Sequence, residues 1–168
     1  MKKSILVLIL CCLVCIGYVY LCFKPIIIHK PYVQYKFLAD SLYNPIDKID
    51  FTLGKNKIII YTSVQDVTFL PDNIKKWTIL ECRNNKTIER VKNNFVFERI
   101  NNNIAETTDF NSRIFFFKNN ELVFSDKFMV ERSIFLHFKN TGWVLATNYN
   151  ELIGCFSEFR PVYFPIIK

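Results

Sequence analysis

From Ile5 to Phe23 the chain reads ILVLILCCLVCIGYVYLCF, an apolar run of 19 residues without a charge. Coiled as a helix at about 1.5 Å per residue, it matches the roughly 30 Å hydrocarbon thickness of a bilayer. Lys2 and Lys3 precede it, Lys24 and Pro25 follow it, and Tyr18, Tyr20 and Phe23 gather at its C-terminal end, where aromatic rings favour the membrane interface. A cleavable signal peptide carries a shorter apolar core of about 7–15 residues, followed by a small-residue site. Cys15 and Gly17 offer such a site, but the run continues past them. A lipoprotein signal needs small residues before its cysteine, whereas Cys11, Cys12, Cys15 and Cys22 follow Leu, Cys, Val and Leu. The run therefore reads as an uncleaved signal anchor over residues 1–24, meeting the lipid bilayer through Ile5 to Phe23. The short N-terminus favours a single-pass membrane protein with its C-terminal domain exported, although Lys24 and Lys30 partly balance Lys2 and Lys3 in the charge rule.

The anchor accounts for much of the 51% hydrophobic share of the 168 residues. With Lys2 and Lys3 set aside, the formal net charge falls from +7 to +5 for the remainder. Apart from Lys75-Lys76, the cations there are interleaved with acids, as in Glu89-Arg90 and Glu98-Arg99. No basic stripe forms, so a nucleic-acid partner is not expected. Only 4 Gly and 6 Pro beside 17 Phe and 8 Tyr exclude a collagen-like or low-complexity chain, and the apolar content excludes disorder as the main state. The length leaves room for one domain of ordinary size.

The segment Lys24-Pro25-Ile26-Ile27-Ile28-His29-Lys30-Pro31 is bracketed by prolines and β-branched, which predicts an extended stalk over residues 25–43. Turn signals at Tyr43-Asn44-Pro45 open an exported domain over residues 44–168. Within it Lys57–Ser63 (KIIIYTS) and Trp77–Cys82 (WTILEC) read as strands. Arg113–Lys118 and Glu121–Ser125 flank Asn119-Asn120, and because Asn tolerates positive φ this is a hairpin signature. Ser133–Phe138 and Trp143–Thr147 form a second hairpin around Asn140-Thr141-Gly142. After Thr87, read as an N-cap, the residues Ile88, Val91, Phe95, Ile100 and Ile104 fall near helical spacing. The order of elements predicts an α+β chain, one transmembrane helix followed by a single β-rich mixed domain.

Four of the six cysteines lie in the apolar run, where Cys acts as a small apolar residue. Cys22, near the interface, is the palmitoylation candidate, with lipid-compatible filler as the alternative. Cys82 and Cys155 stand 73 positions apart in the exported domain. In an oxidising compartment such a pair reads as a disulfide closing a long loop, with two buried free thiols as the alternative. His29 falls in the stalk and His137 inside a predicted strand, and neither has Cys or His at a metal-ligand spacing, so no metal or cofactor is expected. Cys155 and His137 can be drawn as a nucleophile pair, but no motif surrounds either and a structural role outweighs it. Asp47 and Asp50 read as solvated loop charges, and the dispersed glycines exclude a phosphate-binding loop. The chain is therefore expected not to be an enzyme. Asn85-Lys86-Thr87 is a lone sequon, which makes Asn85 a glycosylation candidate on a eukaryotic secretory route.

Three segments carry a resemblance: Phe69-Leu70-Pro71-Asp72-Asn73-Ile74-Lys75-Lys76-Trp77, Asn103-Ile104-Ala105-Glu106-Thr107, and Phe117–Met129 (FKNNELVFSDKFM). Together with the size and layout of the chain, they resemble the nineteen-kilodalton per os infectivity factors of insect baculoviruses and related large nuclear DNA viruses. The resemblance implies an envelope protein of the occlusion-derived virion. It would be a non-catalytic subunit of a multi-protein oral-infectivity and entry complex, with other envelope proteins as its partners. On that implication the aromatics Trp77, Trp143, Phe156, Phe159, Tyr163 and Phe164 are interface candidates, with core packing as the alternative, weighing more for the strand tryptophans than for the tail. Pro161 and Pro165 keep the tail extended, which suits docking along another surface. A bacterial membrane-anchored or periplasmic binding or immunity module is the competing expectation, since Met1-Lys2-Lys3 before an apolar run equally suits bacterial export.

Overall fold

The computed structural model describes residues 2–23, 25–28, 42–63, 66–75, 78–100, 112–138, 142–163 and 166–167. They fall into two units, a larger one over Pro31–Pro161 and a smaller one joining Met1–Lys30 to Val162–Lys168. The smaller unit opens with helix α1 (Lys2–Phe23) and the two-residue strand β1 (Ile26–Ile27). The larger unit contains β2 (Lys57–Tyr61), a 3-10 turn (Asp66–Phe69), β3 (Ile79–Cys82), α2 (Asn85–Asn94) and β4 (Phe97–Arg99). It continues with β5 (Arg113–Lys118), β6 (Glu121–Val130), β7 (Ile134–Phe138), β8 (Gly142–Ala146), α3 (Tyr149–Phe156) and β9 (Arg160–Pro161). The smaller unit closes with β10 (Ile166–Ile167). The class is α+β, as expected.

Eight described strands form one sheet in the order β4-β8-β7-β6-β5-β2-β3-β9, every neighbouring pair antiparallel. The β5–β6 hairpin turns on Asn119 (φ 52°) and Asn120 (φ 67°). These are the two positive-φ positions of a turn whose twist matches its flanking strands. A bulge between Phe116 and Phe117 sets Phe116 opposite Phe124 and Phe117 opposite Leu122, leaving Val123 as the extra residue. The β7–β8 hairpin closes on Gly142, at φ 81°.

Alternation sorts the strand residues onto two faces, and both are apolar. One face carries Ile58, Ile60, Leu80, Ile114, Phe116, Phe124, Phe128, Leu136 and Val144, all buried. Helix α2 covers it with Ile88 and Val91, and α3 with Leu152, Cys155 and Phe156. The Phe95 ring sits at the centre, with centroids 4.7 Å from Phe97, 5.1 Å from Phe116 and 5.8 Å from Phe124. Each such pair contributes about 0.5–1.5 kcal/mol beyond area burial. The second face carries Ile59, Ile79, Phe115, Phe117 and Met129, also buried. A sheet apolar on both faces explains why β2 and β5 read as unbroken runs, Ile58-Ile59-Ile60 and Ile114-Phe115-Phe116-Phe117, rather than as alternation.

The helix expected to run from Ile88 towards Ile104 ends at Asn94. Its cap is Asn84, not Thr87: the Asn84 side chain accepts the Lys86 N–H at 3.0 Å. Asn93 and Asn94 are weak helix formers, and beyond them the alternating Phe95 and Phe97 enter the core as the lead into β4. Tyr43 pairs with Phe97, and Asn44 Nδ2 donates to Lys92 O at 2.7 Å. Phe51 N–H donates to Glu89 Oε1 at 2.6 Å, so residues 43–51 are laced to α2. In the smaller unit β1 and β10 run parallel, Ile26 beside Ile166 and Ile27 beside Ile167. Ile28 N–H extends that ladder to Ile167 O at 3.0 Å. The stalk is thus extended where it is described, and residues 29–41 lie outside the described set.

Candidate functional site

Helix α1 contains one segment, Lys3–Cys22, long and apolar enough to cross a membrane, with mean hydropathy 2.9 and none of it buried by protein. A signal sequence near the N-terminus also meets these criteria of length and composition. On its last two turns Tyr18 and Cys22 are four residues apart and share a face. Both direct their side chains to one acceptor, the carbonyl of Tyr163: the Tyr18 hydroxyl donates to it, and Cys22 Sγ lies 3.7 Å away. Cys22, the palmitoylation candidate, is half-buried at this junction.

Cys82 and Cys155 do not form the expected disulfide; both are free and buried thiols. Cys82 ends β3 with Sγ 3.9 Å from Asn84 O, and Cys155 is enclosed by α3 in the same core cluster. Burial pushes both thiols up in pKa, so they stay protonated and serve as small apolar core residues. His137 projects from the second face of the sheet, whereas Cys155 packs against the first, so the two form no nucleophile pair. Beside the thiols, Glu158 accepts from the Thr87 hydroxyl at 2.6 Å and from Arg90 at 2.5 Å. The Thr87 hydrogen bond leads in holding its carboxyl below the usual range, with Arg90 adding to it. That bracket ties α2 to the turn after α3.

The sequon is engaged within the fold. Asn85 Nδ2 donates to Thr52 O at 3.2 Å and Gly54 O at 3.3 Å, and its Oδ1 accepts from Asn56. Thr87 is buried with its hydroxyl on Glu158. Asn85 also lines an open cleft of about 470 Å³ with Gly54, Lys55, Asn56, Lys57, Arg83 and Asn120. Arg83 is paired with Glu81 and Lys57 lies 4.3 Å over the Phe117 ring. The lining can receive an anionic group and holds no acid–base pair.

Of the aromatic interface candidates, Phe156 and Phe159 are core residues, 0% and 3% exposed, with ring centroids 5.3 Å apart. Half-buried Ser157 and exposed Glu158 lie between them in the chain. Trp143 is half-buried on the second sheet face, its ring 4.8 Å from His137, beside half-buried Phe135 and Leu145. Tyr163 is 58% exposed. Trp77, Phe164 and His29 lie outside the described residues. Asp47 and Asp50 are exposed; Asp50 accepts from the Thr52 N–H and hydroxyl, which hold its pKa down.

Two acids escaped notice in the sequence. Asp66 accepts from the Ser112 hydroxyl, whose oxygen in turn accepts the Ser63 N–H at 2.7 Å. Burial raises Asp66 despite these bonds. Ser112 is fully buried, so this Ser–Asp pair is a polar knot linking the ends of β2 and β5. Asp126 stands opposite Ile114 between Phe124 and Phe128 on the core face. Burial raises it to about 7, against the opposing pull of the Lys127 N–H and the Arg113 and Lys127 charges. Among the described residues no group of three or more His, Cys, Asp or Glu could hold a metal ion. No protein-family model, curated protein or solved structure matches this chain.

Proposed function

We propose that this protein is a single-pass membrane protein whose exported domain is a non-catalytic subunit of a multi-protein envelope complex, in the class of viral oral-infectivity and entry factors that its sequence resembles. One observation carries the membrane part: from Ile5 to Tyr20 the helix carries no charge and every residue is exposed. In water such a helix leaves its whole apolar surface hydrated, at about 25 cal/mol per Å², and a bilayer removes that cost. The subunit part is supported by the composition of the second sheet face. Phe135, Trp143 and Leu145 are half-buried there around His137, and large aromatics in partly desolvated settings are what protein interfaces use. Recognition through that face requires no cofactor.

The test is made on virions. Alkaline carbonate extraction should leave the full chain in the membrane pellet, and gentle detergent should release it together with other envelope proteins. Deletion of its gene should abolish oral infection and spare systemic infection. Recovery as a soluble monomer, or equal loss by both routes, would refute the reading. Protection of a bacterial host against one defined toxin would instead establish the immunity-module alternative.

A further inference from the structure

We propose that the C-terminal tail is a second membrane-contacting element, clipped to the anchor so that Tyr163 enters the interfacial layer of the leaflet from which α1 emerges. The inference rests on the reading of Lys3–Cys22 as a membrane span. That segment has 20 residues and at about 1.5 Å per residue fills the hydrocarbon core. Its end at Cys22 then marks the boundary, and Tyr18 lies about 6 Å inside it. The Tyr163 carbonyl, met by both the Tyr18 hydroxyl and Cys22 Sγ, lies between that level and the boundary, where water is scarce and an unpaired polar group is costly. The Tyr18 hydroxyl and the Tyr163 carbonyl satisfy each other, with Cys22 Sγ on the same oxygen. This one bond resolves two polar groups that would otherwise resist burial in lipid.

The neighbouring residues fit the same layer. Ile166 and Ile167 run parallel to Ile26 and Ile27 immediately beyond the helix, and the Ile28 N–H closes on Ile167 O. This ladder pairs the facing backbone groups of the two segments and so lowers the cost of bringing them to the edge of the hydrocarbon. The side chains pointing outward are apolar or aromatic: Ile26 is 47% exposed, Ile28 58% and Tyr163 58%. With Tyr18 and Tyr20 on the helix, they make a belt of the composition that favours the membrane–water interface. The occupant of this surface is lipid, because the belt is continuous with the span itself.

The experiment places tryptophan reporters in the full chain, reconstituted into phosphatidylcholine vesicles, with Trp77 and Trp143 replaced by Phe. Tyr163→Trp should emit at blue-shifted wavelength and lose intensity with lipids brominated near the headgroup, and lose little with lipids brominated near the bilayer centre. Ile166→Trp should respond in the same direction, and guards against a local effect of the first substitution. Emission at the wavelength of aqueous Trp, unaffected by either lipid, would overturn the proposal. Tyr20→Trp reports the anchor in parallel: if it too escapes quenching, the membrane reading of α1 has failed, whereas quenching of Tyr20→Trp alone refutes only the tail.

Discussion

Asp126 should make the folded domain less stable as pH rises through neutrality. Its carboxyl lies on the core face of β6, opposite the fully buried Ile114, and burial raises it from 3.8 to about 7. Between those two values the folded protein holds a proton that the unfolded chain has released. The Asp126 contribution to stability therefore falls with rising pH across that window, from about pH 4 to about pH 7, and is flat on either side. One pKa unit corresponds to about 1.4 kcal/mol, so the full span amounts to about 4 kcal/mol, a large part of a typical domain's stability.

Asp126→Asn removes the titration while keeping the shape. The assay is urea unfolding of the full chain in neutral detergent micelles, followed by near-ultraviolet circular dichroism at several pH values. Asp50, Asp72 and Glu158, whose pKa values are held down, and Asp66, which burial raises, titrate alike in both proteins and drop out of the difference. The variant should gain on the wild type by about 4 kcal/mol between pH 4 and pH 8, the gain accruing through the window. The half-buried amide keeps the Lys127 N–H on its oxygen, and any cost of its NH2 group lowers the variant at every pH by about 1–3 kcal/mol without changing that slope. Parallel stability curves would refute the reasoning, because they would mean that Asp126 ionises inside the fold at no cost.

Phe95→Ala should cost about 3–5 kcal/mol in the same assay, since its ring meets Phe97, Phe116 and Phe124 within 5.8 Å; a loss below 1 kcal/mol would show that the cluster is not the centre of the core. Gly54→Ala should destabilise by about 1–3 kcal/mol, because Gly54 has φ +96° and an added Cβ would fall 2.2 Å from Asn119 Oδ1, the acceptor of the Lys55 N–H. Asn120→Gly, at φ 67°, should stabilise the hairpin, because Asn-Gly is the favoured pair where both turn positions have positive φ, and a measured loss would contradict the positive-φ turn. Alkylation without reductant should spare Cys82 and Cys155 in the folded protein and label both after unfolding; failure to label them after unfolding would mean a disulfide.

The parts of the fold legible in the sequence are those set by neighbours along the chain. Asn119-Asn120 between two apolar runs specified its hairpin because two consecutive positive-φ residues leave few alternatives. The β2 and β5 runs were recognisable as strands by β-branched and aromatic content alone. Their parity was not, because a sheet buried on both faces erases the alternation. The overlong helix has a different origin: Phe95, Ile100 and Ile104 continue the helical spacing of Ile88 and Val91 along the sequence, but the helix ends at Asn94, and Phe95 and Phe97 alternate into the core instead. Helix α3 spans 8 residues, about two turns, and its buried Leu152, Cys155 and Phe156 are too few to establish a period.

The sites were harder to read, because their residues meet through packing across long stretches of chain. Tyr18 and Tyr163 are 145 positions apart, and neither residue announces the other. Phe156 and Phe159, flanked by Gly, Ser and Glu, have the composition of an exposed tail, yet a single turn of backbone folds both rings inward. The cysteine pair shows the same limit from the opposite side. An even count outside the apolar run fits a disulfide, but it fits two core thiols equally well, and their side-chain directions decide between them. Cys82 Sγ turns to Asn84 O and Cys155 is fully enclosed. The free energy of both is therefore that of apolar burial, at about 25 cal/mol per Å², rather than of loop closure. Local pattern thus specified the strands and the apolar helix α1, while which aromatics face outward depends on contacts that only the folded chain contains.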